Sequence, residues 1–172
     1  SPAITLEFEH TEVCTSIERA AAARDKINAT LLAHARQRWP GRWLDFRPLP
    51  FRFATWVGYD MDGRTDIGWT TSIAFRLREK AQRLASYATS LRAIDEAHGL
   101  LTTLDVAHAY SAEMAELFSA NLEAPEDLAA AANRLSADDP AKLLSLASLI
   151  EVLEMDARTA SDDKAIPLAT LA

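Results

Sequence analysis

The chain has 172 residues, about the size of one domain, with 49% apolar residues for a core and 25% charged. Its net charge of −7 argues against general nucleic-acid binding, because no basic stripe is present to displace counterions from phosphates. No apolar run approaches the roughly 20 residues that cross a bilayer, and no signal-peptide pattern is visible, so a cytoplasmic protein without a membrane partner is expected.

Only five glycines occur beside abundant alanine, which is a helical composition. The expected fold class is mainly α. It is a multi-helix bundle of long amphipathic helices with one short strand and loop, forming a single helical domain over residues 1–172. After an extended entry, the spacing predicts a long helix over residues 7–39, with Val13, Ile17, Ala20, Ile27, Leu31 and Ala35 on its inward face. Pro40 and Gly41 end it. A lone cysteine, Cys14, excludes an internal disulfide and a cysteine-based zinc site, and reads as a small buried hydrophobe. His10 and His34 are too far apart in sequence to chelate one ion together and read as surface or packing residues. Residues 40–50 form a stiff, proline-rich link with Trp43 and Phe46 as anchors.

Residues 51–69 stand apart from the helical remainder. Phe51, Phe53, Thr55 and Val57 alternate with Arg52, Ala54 and Trp56, which predicts a short strand. Pro48 and Pro50 precede it, and Gly58 and the Asp62-Gly63 pair close it. Polar residues beyond a strand end are a common way to build a binding edge. Helices then fill residues 70–172. The first, to about residue 96, carries Ile73, Leu77, Ala81, Leu84, Ala88, Leu91 and Ile94 as its apolar stripe, with Thr70 or Thr71 as N-cap. Its arginines and lysine read as a solvated face. A bend at His98-Gly99 leads to a helix over about 101–121, with Leu104, Ala107, His108, Met114 and Leu117 inward. A shorter helix covers about 126–135. Residues 136–139 are cap-like, and Pro140 opens a helix carrying Leu143, Leu146, Ile150 and Leu153 to about residue 158. Ser161-Asp162-Asp163 is a further cap.

The acidic loop Asp60-Met61-Asp62-Gly63-Arg64-Thr65-Asp66 invites several chemistries. An EF-hand fails in both registers. Counting from Asp60 puts Arg64 and Thr65 at loop positions five and six, and counting back from Gly63 puts Gly58 at one and Trp69 at twelve. A haloacid-dehalogenase-like phosphohydrolase has an Asp-x-Asp-Gly-Thr motif, which Arg64 interrupts here, and it needs a parallel sheet. A purely structural reading makes Asp62-Gly63 a tight turn, with Asp60 or Asp66 capping a helix or pairing with Arg64.

The run from Arg52 through Trp56, Gly58, Asp60, Asp62 and Gly63 also resembles the phosphoenolpyruvate carboxylase family, whose segment reads R-F-x-S/T-W-M-G-G-D-R-D-G-N-P. The family's second glycine is Tyr59 here, its arginine between the aspartates is Met61, and its Asn-Pro is Arg64-Thr65. The long helices before and after the motif are also family-like. Missing are the T-A-H-P-T histidine segment (His10-Thr11 lacks the proline), the G-R-G-G loop and the acidic metal ligands. The resemblance therefore implies an internal helical segment of a carbon–carbon lyase, inactive alone. Its parent joins bicarbonate to phosphoenolpyruvate with Mg²⁺ or Mn²⁺ to give oxaloacetate and phosphate. It implies Gly58, Asp60, Asp62, Gly63 and Arg64 as loop or substrate-binding candidates, with Arg64 replacing the lost positive charge. No catalytic residue and no metal ligand are assigned to this chain, and no metal is expected on it alone. The expected partner is the remainder of the parent enzyme, with a homo-oligomer compatible. The alternative from another class is a non-catalytic helical scaffold or interaction module.

Overall fold

A computed structural model describes residues 4–120, 122, 124–143 and 145–172. Among them are six α-helices: α1 (Leu6–Arg38), α2 (Trp69–Ile94), α3 (Leu100–Ser119), α4 (Pro125–Ser136), α5 (Ala147–Thr159) and α6 (Asp162–Leu171). None is long and apolar enough to cross a membrane. The fold is mainly α.

α1 starts where the Thr5 hydroxyl accepts from the Phe8 backbone N–H at 3.2 Å, an N-cap reinforced by Glu7 and Glu9 in the first turn. α2 begins at Trp69, so Thr70 and Thr71 lie inside the helix rather than at its cap. Pro125 occupies the first turn of α4, where its missing N–H is not needed. The Asp139 carboxylate accepts from Ala141 N–H at 2.8 Å and opens a 3₁₀ turn over Pro140–Lys142. The helix expected to run on from Pro140 stops there, because Leu143 takes a left-handed conformation (φ 44°) and α5 begins only at Ala147. The Lys80 ammonium donates to the carbonyl of Lys142 and, at 3.0 Å, to that of Leu143, holding this break in place.

The expected strand over residues 51–57 is absent. Residues 51–56 carry no regular secondary structure, and no strand exists among the described residues. A strand needs a partner to accept its backbone hydrogen bonds, and no other described segment is a strand that could supply one. Both alternating faces therefore stay open to water, with Trp56 84% exposed and Phe51 and Phe53 also exposed.

The chain divides into two compact units. Unit 1 comprises Ser1–Cys14, Thr55–Ala88 and Leu101–Leu143, and unit 2 comprises Thr15–Ala54, Thr89–Leu100 and Leu144–Ala172. The core of unit 1 gathers Ala74 from α2, Tyr110, Met114 and Phe118 from α3, and Ala131 from α4. Trp69 meets Phe118 edge-on at 6.2 Å. In unit 2, Leu32 and Ala35 of α1 pack with Trp43 and Ala165. The face of α1 differs from the expected one. Ala35 is buried as expected, but Ile27 and Leu31 are exposed at 42% and 38%, whereas Ala21, Asn28 and Leu32 are buried. Apolar residues occur at i, i+4 spacing on both sides of this alanine-rich helix, so periodicity alone does not choose between them.

Met114 and Phe118 are among the most completely buried side chains. Phe118→Ala should lower the unfolding free energy by about 3–5 kcal/mol, read from urea denaturation, because a large cavity opens in a well-packed site. A loss below about 1 kcal/mol would place the core of unit 1 elsewhere.

Candidate functional site

Unit 1 holds the acidic loop, and one glycine explains how the loop is seated. Gly58 has φ +88°, and a Cβ built there would lie 2.2 Å from Cδ2 of Phe75. Both the backbone conformation and the close approach require glycine. The turn is tied by Tyr59 N–H to Trp56 carbonyl at 3.0 Å and by Val57 N–H to the Thr55 hydroxyl at 3.0 Å. Ser72 of α2 donates its hydroxyl to the Gly58 carbonyl at 2.6 Å. So anchored, the loop swings the Tyr59 phenol inward, where it donates to Glu79 Oε1 at 2.8 Å.

Glu79 is a junction. Oε1 also lies 3.2 Å from His10 Nε2, and Arg76 Nη1 stands 3.6 Å from Oε2 while its guanidinium rests over the Tyr59 ring. His10, expected to be a surface or packing residue, is 4% exposed and stacks on Phe75 with ring centroids 3.8 Å apart. Cys14 Sγ sits 3.6 Å from His10 Nε2 and 3.9 Å from Nδ1. Desolvation, the largest single influence on Glu79, pushes its carboxyl up. The hydrogen bonds from His10 and Tyr59 together overcome it and hold the group below its ordinary range. The Tyr59 phenol moves the other way, raised by burial and by its bond to the Glu79 carboxylate.

The five loop residues singled out by sequence do not converge on one point. Gly58 is buried against α2, and Gly63 makes a turn beside the Asp60 carboxylate. Asp60 and Asp62 are exposed. Arg64 grips Asp66 with both arms of its fork, Nε to Oδ1 at 2.9 Å and Nη2 to Oδ2 at 2.7 Å. It also reaches Glu9 of α1 through Nη1 at 2.5 Å. That fork holds the Asp66 carboxyl below its ordinary range. Arg64 thus fastens the loop to the first turn of α1, and its charge is already matched by two carboxylates of the chain itself. An apolar cleft of about 530 Å³ opens beside this clasp, lined by Ile4, Phe8, Trp56 and Ile67 with Glu9 and Asp60 at its edge.

What the sequence reading missed is the triad of His10, Cys14 and Glu79. The four-residue step from His10 to Cys14 on one helix was its visible half. In unit 2, a separate polar cleft of about 590 Å³ is lined by His98, Asp156, Ser161 and Lys164 among others. There Leu100 N–H donates to His98 Nδ1 at 3.2 Å, which leaves Nε2–H to donate to Asp156 at 3.0 Å.

Comparisons with protein-family models, with curated proteins and with solved structures find no match. The magnesium implied by the resemblance is not suited by the residues present. Mg²⁺ takes an octahedral shell of oxygens. Among the described residues the one group of three or more metal-capable side chains is His10, Cys14 and Glu79, which offers one oxygen beside nitrogen and sulfur.

The two loop glycines should separate cleanly in stability. Gly58→Ala must bear both the left-handed backbone and the Phe75 clash, together roughly 3 kcal/mol. Gly63→Ala displaces only the Asp60 carboxylate and should cost about 1 kcal/mol or less. Urea midpoints of equal size would remove the seat assigned to Gly58. Glu79 carries a second expectation. Its folded-state pKa lies below the ordinary value of 4.5, so its contribution to stability is full above that value and drains away as pH falls beneath it. Glu79→Gln should be less stable at pH 7 and show a shallower loss between about pH 4.5 and 3 than the parent chain, measured by urea unfolding at each pH. An unchanged acid limb would mean that Glu79 is not the group being protonated.

Proposed function

We propose that the chain is a helical segment of a phosphoenolpyruvate carboxylase-like lyase, whose parent carboxylates phosphoenolpyruvate with bicarbonate to give oxaloacetate and phosphate. The observation that carries this reading is Gly58. In the family pattern W-x-G-x-D-x-D-G a glycine stands at this place, and the backbone here takes a conformation that favours one (φ +88°) against the Phe75 ring. The turn that follows leaves Asp60 and Asp62 exposed at the loop tip, and α2 begins six residues after Gly63. The role of this segment is support and presentation: a loop clamped from behind by Ser72, Tyr59 and Arg64 offers two carboxylates without further ordering. Substrate activation, with its divalent ion, belongs to the remainder of the parent, and a cytoplasmic location goes with this reading.

A second reading has its own support. Within unit 1, Phe8 and Trp56 are 56% and 84% exposed and line the same apolar cleft, an aromatic edge left open to water. A helical interaction module would use such an edge to dock a partner. The reading frame decides between them, since a carboxylase segment continues at both ends into the histidine segment and the glycine-rich loop, whereas an interaction module need not.

The parent protein, supplied with phosphoenolpyruvate, bicarbonate and Mg²⁺, should form oxaloacetate, followed by NADH-coupled reduction to malate. Asp62→Asn should lower kcat/KM by about tenfold or more, the cost of one charge-assisted hydrogen bond of roughly 1.5–3 kcal/mol. A folded parent that forms no oxaloacetate would retire the lyase reading and leave the docking module.

A further inference from the structure

We propose that His10 Nε2, Cys14 Sγ and a carboxylate oxygen of Glu79 form a site for a borderline-soft divalent cation, Zn²⁺, with a fourth position left for water. The inference is independent of the lyase reading, because it rests only on the buried junction in unit 1. The three donor atoms lie within 4.8 Å of one another. Two of the three separations match a coordination shell. Zn–N, Zn–S and Zn–O bonds of about 2.0, 2.3 and 2.0 Å set tetrahedral edges of roughly 3.3 Å for N···O and 3.5 Å for N···S. Nε2 stands 3.2 Å from Glu79 Oε1 and 3.6 Å from Cys14 Sγ. A chain with one cysteine cannot build a multi-cysteine zinc site, but a mixed sulfur, nitrogen and oxygen set needs only one.

The surroundings are those of a supported site. Phe75 stacks on the imidazole and fixes its plane, and the Tyr59 hydroxyl orients the Glu79 carboxylate from outside the triad. His10 and Cys14 are one helical turn apart on α1, while Glu79 comes from α2, so a bound ion would staple two helices together. The Glu79 side chain is 23% exposed, so the triad is not sealed from solvent. Binding replaces the hydrogen that joins Nε2 to Glu79. The neutral ring takes the other tautomer, its one proton moving through solvent to Nδ1, the thiol releases its proton to solvent, and thiolate plus carboxylate balance the two charges of the metal.

The test uses the reduced, metal-free chain and Co²⁺ followed by Zn²⁺. Co²⁺ should bind one to one with a thiolate-to-cobalt charge-transfer band in the near ultraviolet, and Zn²⁺ should bleach that band at one equivalent. Zn²⁺ should also slow alkylation of Cys14 by about tenfold or more. Cys14→Ser and Glu79→Gln should each weaken Zn²⁺ binding, measured by competition with a chromophoric chelator, by about 100-fold, since even outer-shell losses cost 10–100-fold. Circular dichroism establishes that both variants keep their helices. Should a variant unfold, the charge-transfer band and the thiol protection of the unmutated chain decide alone. No charge-transfer band, unprotected Cys14, or equal Zn²⁺ affinity in folded Cys14→Ser would each overturn the site and leave a hydrogen-bonded packing cluster.

Discussion

The carboxylate of Glu79 is the constraint on which unit 1 depends. Two segments distant in sequence reach it, the start of α1 through His10 and the acidic loop through Tyr59, and Arg76 joins them from one turn away on its own helix. Burial by itself would drive such a group toward its neutral form, and a neutral carboxyl would accept more weakly from both donors. The donors hold its pKa below the ordinary range, and the charged carboxylate is in turn the stronger acceptor for them. Removing one partner therefore costs more than the pair is worth, because the others remain half-buried with a polar atom unmatched. This reciprocity couples the seat of α1 to the path of the loop.

The phenyl ring of Phe75 is the apolar counterpart of that junction. One side of it lies against the His10 imidazole, and its edge is within reach of Gly58. A side chain at position 58 would push the ring, the ring would push the imidazole, and the imidazole would lose its place beside Glu79. Close packing transmits such displacements because the interior has little slack. A glycine in the loop thus acts on a histidine 48 positions earlier without touching it, by way of one ring. Arg64 adds a second fastening from outside, joining the loop to Glu9 one residue before His10.

The helices were legible in the sequence for ordinary reasons. Ala81, Leu84, Ala88 and Leu91 repeat at helical spacing with charge elsewhere, and all four are buried. α1 was readable as a helix but not as a face, since Ile27 and Leu31 compete with Asn28 and Leu32 one step round, and only the neighbours in unit 2 decide. Alternation over residues 51–57 pointed to a strand, but alternation describes side chains, and a strand is made by a partner's backbone. The break at Leu143 rests on Lys80, 63 positions earlier, so no local signal announces it. Of the triad, the step from His10 to Cys14 was visible. The third member, Glu79, lies 69 positions from His10 and needed the fold to bring it in. The glycine at 58 was legible as a motif residue, yet its reason, the Phe75 ring, was not.

Preorganisation is the physical link between this junction and what the loop can do. Ordering a flexible loop on contact costs on the order of 1–2 kcal/mol for each backbone residue fixed. Here much of that ordering is done in advance by Ser72, Tyr59 and Arg64, all acting behind the loop rather than at its tip. The tip is left with Asp60 and Asp62 facing outward and with Trp56, 84% exposed, at its entrance. Neither feature helps the chain fold: exposed carboxylates gain little, and an aromatic ring left in water forgoes the burial that favours it. A loop fixed so firmly with its apolar and acidic groups outside is what the proposed presenting role rests on. The proposed metal would tighten the same fastening from within, since its three donors sit on the helices that Tyr59 and Arg64 already tie to the loop.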